Sequence, residues 1–288
     1  MAFKLLVLGA KSCLRVSLLN TLEEMPYSVQ LPELEGMSPE ELASQIVAAR
    51  PSITLLLVDP NNEQGYQAAE TALKGLQLAY EQRSTPLIAL SSHRVFGDQF
   101  NESGLREEEE PNPTPDDKDA SLWLDYEREV AKIKDHILLR SSWFIDGDST
   151  SLVDRFAPKL LHGKTPFKAS SKHELSPVTI KTTTNALIAI MQQVLCGAEN
   201  WGVFHLSSSD SCSEYEFVNK LADTLREYER ESCEISECSV DDFTHRIAGT
   251  GNLRGKRLTK NFGIQQVSWR SGFSLVVKHY LESLPDEG

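Results

Sequence analysis

The chain has 288 residues, enough to bury one large core or one large and one small. Its 40% hydrophobic and 25% charged residues are ordinary for a globular protein and exclude a disordered chain. A formal net charge of −13 repels phosphate backbones, so no nucleic-acid partner is expected, although net charge says nothing about local patches.

The first element is an apolar run, Lys4-Leu5-Leu6-Val7-Leu8, bounded by Gly9, which predicts a buried strand. Leu14, Leu18, Leu19 and Leu22 follow at helical spacing, and strand leading directly to helix opens a parallel α/β domain. Residues 28–31 suit a short second strand. Ser38-Pro39-Glu40-Glu41 marks a helix start: Ser38 caps, Pro39 takes the first helical position and Glu41 completes a capping box. That helix runs to about Arg50, before Pro51. Residues 53–58 are almost continuously apolar, as a strand covered on both faces should be, and end at Asp59-Pro60.

A helix over 66–82, a strand over 86–90 and an acidic, Pro-rich surface loop over 104–119 come next. A helix over 120–134 and a strand over 136–140 complete a βαβ alternation. Strand ends at Gly9, Asp59, Ser91 and Ser141 should therefore share one edge, where open sheets place ligands. Beyond residue 150 the pattern changes. Helices are expected over 150–161, 182–195 and 214–228, with strands at 177–180 and 203–206, and a mixed, partly basic stretch over 240–272. The expected organisation is a first domain over 1–150 and a smaller lobe over 151–288, some of whose segments return to the first.

A dinucleotide loop uses glycines for a tight turn, for close approach to the pyrophosphate and for helix–strand packing. In Gly9-Ala10-Lys11-Ser12-Cys13-Leu14-Arg15 only Gly9 keeps a motif position, while Ser12 and Arg15 stand at the others. The helix N-terminus still offers free N–H groups to an anion, with Lys11 or Arg15 adding charge. Dinucleotide binding, altered anion binding and a purely structural turn all stay open. After the second strand Gln30 and Glu33 are weak substitutes for a ribose-binding acid.

Ser91-Ser92-His93-Arg94 follows a strand directly. Its hydroxyls could donate to a substrate oxygen, or could merely end the strand and cap a turn. A reductase of this design next needs a tyrosine with a lysine one helical turn on, yet Val130 stands four residues after Tyr126. Lys132 and Lys134 are displaced, and Tyr126 reads as a packing or surface residue. His162, His173, His205 and His245 are isolated, so no metal is expected. Arg254, Lys256 and Arg257 read as a solvated basic face rather than an anion grip. Five cysteines, Cys13, Cys196, Cys212, Cys233 and Cys238, match no disulfide framework and suggest reduced thiols. No run approaches the roughly 20 apolar residues of a membrane helix, and no signal core is evident. A cytoplasmic chain without a membrane partner is expected.

Lys4 through Gly9, Ser91 through Asp98, Glu110-Pro111-Asn112-Pro113, Leu138 through Trp143 and Gly202 through Leu206 form a characteristic series. With Phe262-Gly263-Ile264 and Trp269-Arg270, it resembles the dTDP-4-dehydrorhamnose reductase family along almost the whole chain. This is an atypical extended branch of the short-chain dehydrogenase/reductases. The resemblance implies a Rossmann-like, doubly wound parallel α/β sheet with a smaller C-terminal α/β substrate-binding-type lobe. It also implies NAD(P)H in the first domain and a nucleotide-activated sugar between the two. Cofactor contacts would fall at Gly9, Lys11, Ser12, Arg15, Asp59 and Ser91.

By the same resemblance Ser92 stands at the catalytic Ser/Thr; an active enzyme lacking the tyrosine would need another proton donor, for which His93 is the candidate. When Glu127 is matched to the family's glutamate, the Tyr-x-x-x-Lys pair falls on Asp119 and Trp123, neither of which can replace its counterpart. The family also resembles the noncatalytic regulatory subunit of methionine adenosyltransferase. Three readings follow. One is a noncatalytic, sugar-nucleotide-binding pseudoenzyme acting through a protein partner or as a homo-oligomer. The second is a reductase or epimerase with relocated groups, in which Ser92 polarises the carbonyl. The third is an interaction protein with a vestigial cleft.

Overall fold

The computed structural model describes residues 3–9, 11–57, 63–99, 101, 103–147, 150–238 and 251–285. Asp59, Val58 at the expected strand end, His245 and the first part of the 240–272 stretch lie outside them.

The first unit alternates as expected: β1 (Phe3–Leu8), α1 (Cys13–Glu23), β2 (Tyr27–Gln30), α2 (Pro39–Ala49), β3 (Ile53–Leu56) and α3 (Glu63–Tyr80). It continues with β4 (Leu87–Ser92), the two-residue β5 (Leu105–Arg106), α4 (Lys118–Val130) and β6 (His136–Ser141). The Ser38–Glu41 capping box forms in both directions, and Arg50 ends α2 in a left-handed conformation at φ 51°. Further on lie α5 (Leu152–His162), β7 (Phe167–Ser170), β8 (Glu174–Leu175), α6 (Ile180–Leu195), β9 (Gly202–Leu206) and β10 (Cys212–Ser213). The chain closes with α7 (Glu214–Glu227), β11 (Ile235–Cys238), β12 (Leu253–Arg254), α8 (Arg257–Phe262) and α9 (Phe273–Ser283).

The central sheet has six parallel strands in the order β2-β1-β3-β4-β6-β9. Because β-strand side chains alternate, one strand supplies two cores. Leu6 and Leu8 join α2, α3 and α4 on one face, whereas Leu5 and Val7 join α1, α6 and α8 on the other. Both faces are covered, which is why the strands read as apolar runs. The chain leaves β1 for β2 on one side and then crosses to β3 on the other. The strand order thus reverses beside β1, the place where such sheets open a crevice at their C-terminal ends. A third core, with Phe156, Phe217, Trp269 and Phe273, lies among α5, α7 and α9.

Two expectations are corrected. Residues 177–180 are not a strand: Val178 makes one isolated bridge to Phe144, and Thr179 then caps α6 by accepting from the Thr182 N–H. Of the basic segment only Lys256 is exposed; the two arginines are not a solvated face. Arg257 donates to the Val203 and Trp201 carbonyls and lies 4.6 Å over the Phe204 ring, while Arg254 donates to Ser103 O and Ser211 Oγ. Arg257 thus ties α8 to the edge strand β9, and Arg254 ties β12 to the segments that precede β5 and β10. Helix α9 is an addition to the expected elements; Phe273 and Val277 sit one turn apart and are buried, and Gly272 leads into it with no side-chain cap.

Candidate functional site

The turn after β1 is built tightly. Gly9 has φ +146°, and a Cβ there would lie 2.1 Å from the Leu57 carbonyl oxygen, so only glycine fits. The two replaced motif positions then act on the turn itself. Ser12 caps α1, its Oγ accepting from the Arg15 N–H at 3.2 Å. That interaction uses one of the few donors a helix start can offer to an anion. Arg15 is 6% exposed and its guanidinium donates to the Gly9 carbonyl at 2.5 Å. Its charge is therefore committed inside the turn, and of the two cations considered there only Lys11 is exposed.

At the end of β4 adjacent hydroxyls go to opposite faces of the sheet. Ser91 turns under α4, where its Oγ donates to Glu127 Oε1 at 2.6 Å. Glu127 in turn receives Arg140 Nε at 2.9 Å and Nη2 at 2.7 Å, a bidentate pair with both side chains almost fully buried. Arg140 Nη1 lies 3.3 Å from His205 Nε2, which must accept because a guanidinium has only donors. His205 is thus neutral with its proton on Nδ1, which donates to the Leu105 carbonyl at 3.1 Å. Burial, then the neighbouring Arg140, lowers the His205 pKa to about 3. This relay was not apparent from the sequence, although an arginine and a histidine inside two otherwise apolar strands signalled it.

Ser92 is half-buried and caps a single 3-10 turn over residues 93–96, accepting from the Arg94 N–H at 3.3 Å. His93 lies beneath it, 3% exposed, with Nδ1 3.4 Å from Ser141 O and 3.5 Å from Ser92 Oγ. A carbonyl needs a donor, so Nδ1 carries the proton and is not free to take one from Ser92. Burial and Arg94 push the His93 pKa down to about 3. Its Nε2 is buried without a hydrogen-bond partner among the described residues.

Helix α4 brings Trp123 to the cleft wall, while Tyr126 packs inside and donates its hydroxyl to Leu90 O at 3.0 Å. Burial, reinforced by Glu127, raises the Tyr126 pKa and holds its proton. The cleft is a cavity of about 1270 Å³. It runs from Gly9, Lys11 and Ser12 past Ser92 and His93 to Trp143, and is large enough for a nucleotide conjugate. Of the predicted site residues, Gly9, Lys11, Ser12, Ser91, Ser92 and His93 line it. Arg15 is turned into the structure.

Known proteins place this architecture. The chain matches the model of the RmlD substrate binding domain family over residues 3–282. No curated protein matches it in sequence. Among solved structures it is similar to a dTDP-4-dehydrorhamnose reductase from Clostridium acetobutylicum, at 17% identity and a TM-score of 0.78 over 97% of this chain and 100% of that one. The dTDP-4-dehydrorhamnose reductase of Bacillus anthracis, in complex with NADP, is also 17% identical, with a TM-score of 0.75 over 98% and 100%. The Bordetella bronchiseptica enzyme WbmH, in complex with NAD+, is 13% identical with a TM-score of 0.76 over 99% and 100%. A crevice at the C-terminal ends of a doubly wound parallel sheet and a family match across almost the whole chain agree: this chain belongs to the RmlD substrate binding domain family.

Proposed function

We propose that the chain is a noncatalytic, regulatory homologue of dTDP-4-dehydrorhamnose reductase that binds a nucleotide or sugar nucleotide in the cleft and acts through a protein partner. The observation that carries this reading is that neither His93 nor Tyr126, the two candidate donors nearest Ser92 among the described residues, has a proton to give, while the cavity stays open. Tyr126 keeps its proton on Leu90 O, His93 is buried and neutral, and Trp123 stands where the family resemblance places a lysine. General acid catalysis needs a group that exchanges a proton near neutral pH within reach of the substrate. Neither His93 nor Tyr126 meets that condition.

Among the described residues of the turn after β1, two groups are already engaged within the chain. Ser12 occupies a helix-start donor and Arg15 is bonded back to Gly9. A nicotinamide dinucleotide thus has fewer donors at this turn than an uncapped helix start offers. A sugar nucleotide needs less of it, and exposed Lys11 at the cleft mouth suits its phosphates.

The second reading, a reductase or epimerase, is favoured by one feature: the Ser92 hydroxyl remains half-exposed in the cleft. Calorimetry with dTDP- and UDP-sugars, nicotinamide fluorescence with NADH and NADPH, and a turnover assay separate the two. Sugar-nucleotide binding without NAD(P)H-dependent turnover is expected. Turnover abolished by Ser92→Ala would overturn the noncatalytic reading. Co-purification of a stoichiometric partner supports the regulatory role.

A further inference from the structure

Beyond Ser92, Arg94 and Trp143 line the end of the cleft, and two further cations, Arg155 and Lys159, gather behind them. Trp143, 4% exposed, is the centre of the cluster. The Arg94 guanidinium carbon lies 5.1 Å from its ring centroid and that of Arg155 lies 5.8 Å away, with the His93 ring at 4.7 Å. Lys159 is one helical turn beyond Arg155 on α5, on the same face. All three cationic side chains are half-buried. None of them forms an ion pair or donates a side-chain hydrogen bond among the described residues.

The carboxylate facing this cluster is Glu214, 1% exposed, and it is engaged with His173 Nδ1 at 3.3 Å. Burial, then Arg94, lowers the Arg155 pKa, and burial, then Arg155, lowers that of Lys159; Glu214 acts the other way on both and offsets only part of it. Two buried ring nitrogens beside them, His93 Nε2 and Trp143 Nε1, also lack partners among the described residues. Like charges held together in a half-buried place raise the free energy of the folded chain, and such perturbed groups cluster at functional sites.

We propose that Arg94 and Arg155 form an oxyanion subsite beside Trp143, with Lys159 adding charge behind Arg155, that takes an acidic group, carboxylate or phosphoryl, of the ligand bound in the cleft. The subsite adjoins Ser92 rather than the Lys11 mouth, so the group it recognises sits at the far end of the ligand from the β1–α1 turn. Guanidiniums suit planar, bidentate recognition of such groups, and the indole face keeps them oriented. The inference rests on reading the cleft as a binding site, but its first test does not require a nucleotide.

Thermal unfolding with inorganic phosphate is compared with chloride at matched ionic strength. Phosphate in about tenfold excess over its dissociation constant should raise the wild-type midpoint by about 3 °C. Arg94→Gln and Arg155→Gln should lose that rise, and without phosphate should melt no lower than wild type because a repulsion is removed. A rise that persists in both variants, or no rise in the wild type, overturns the proposal. UDP-glucuronic acid and UDP-glucose then distinguish the source of the acidic group. At least tenfold tighter, Arg94-dependent binding of the uronic acid assigns a sugar carboxylate. Equal, Arg94-dependent binding of both assigns a phosphoryl group. Nucleotide binding insensitive to both arginine variants overturns the subsite alone, whereas phosphate binding with no nucleotide binding overturns the proposed function and leaves the subsite standing.

Discussion

At the β1–α1 turn one glycine is indispensable and one arginine is decisive. Gly9→Ala should cost more than about 2 kcal/mol, because a methyl group would meet the Leu57 carbonyl and the backbone sits at positive φ. Urea unfolding measures it; a loss below about 0.5 kcal/mol would mean that the turn relaxes easily. Arg15→Ala has two opposed effects. Removing the donor to the Gly9 carbonyl should destabilise the chain by about 1–2 kcal/mol. It also frees the turn, so NADH fluorescence should report higher dinucleotide affinity in the variant than in the wild type. Unchanged affinity would show that Arg15 is not what closes the turn to pyrophosphate.

At the scale of elements, the junction of β4, α4, β6 and β9 rests on the chain Ser91–Glu127–Arg140–His205. Arg140 also lies 4.9 Å over Phe96, and Phe96 meets His205 edge-on at 5.9 Å. Glu127→Ala should cost about 3–5 kcal/mol, because it leaves a buried guanidinium without its carboxylate. Ser91→Ala removes one hydrogen bond from a carboxylate that keeps its arginine, so about 1–2 kcal/mol is expected. Denaturant midpoints with unchanged slopes would check both, and equal losses would contradict the hierarchy. The same junction explains why the pair of serines divides: the two-residue period of β4 sends Ser91 to the relay and leaves Ser92 for the cleft.

At the scale of the whole molecule, stability should depend on pH through the two buried histidines. Both have folded pKa values near 3, against an ordinary value of 6.5. Between those values the unfolded chain binds protons that the folded chain does not. Stability is therefore full above about pH 6.5 and falls as the pH drops. For His205 the loss between pH 7.5 and 5 should be about 2 kcal/mol, and His205→Asn should show a correspondingly smaller drop in urea unfolding. An equal drop in wild type and variant would show that His205 does not stay neutral.

The parallel α/β class, the capped start of α2 and the chain positions of the apolar strands in the first 141 residues were legible in the sequence. Period-2 and 3.6-residue patterning and the Ser-Pro-Glu-Glu signal are local and survive without tertiary context. The sequence also suggested, by resemblance, that Gly9 keeps a motif position while Ser12, Arg15, Asp119 and Trp123 do not. The fate of those residues depends on what comes to meet them. Arg15 turns inward because the Gly9 carbonyl lies within its reach. Glu127, Arg140 and His205 find each other only because α4, β6 and β9, 78 residues apart at the extremes, pack at one junction. The crowding of Arg94 with Arg155 around Trp143 arises in the same way. Desolvation and Coulomb interactions depend on distances between chain segments, and the sequence specifies those only through the completed fold.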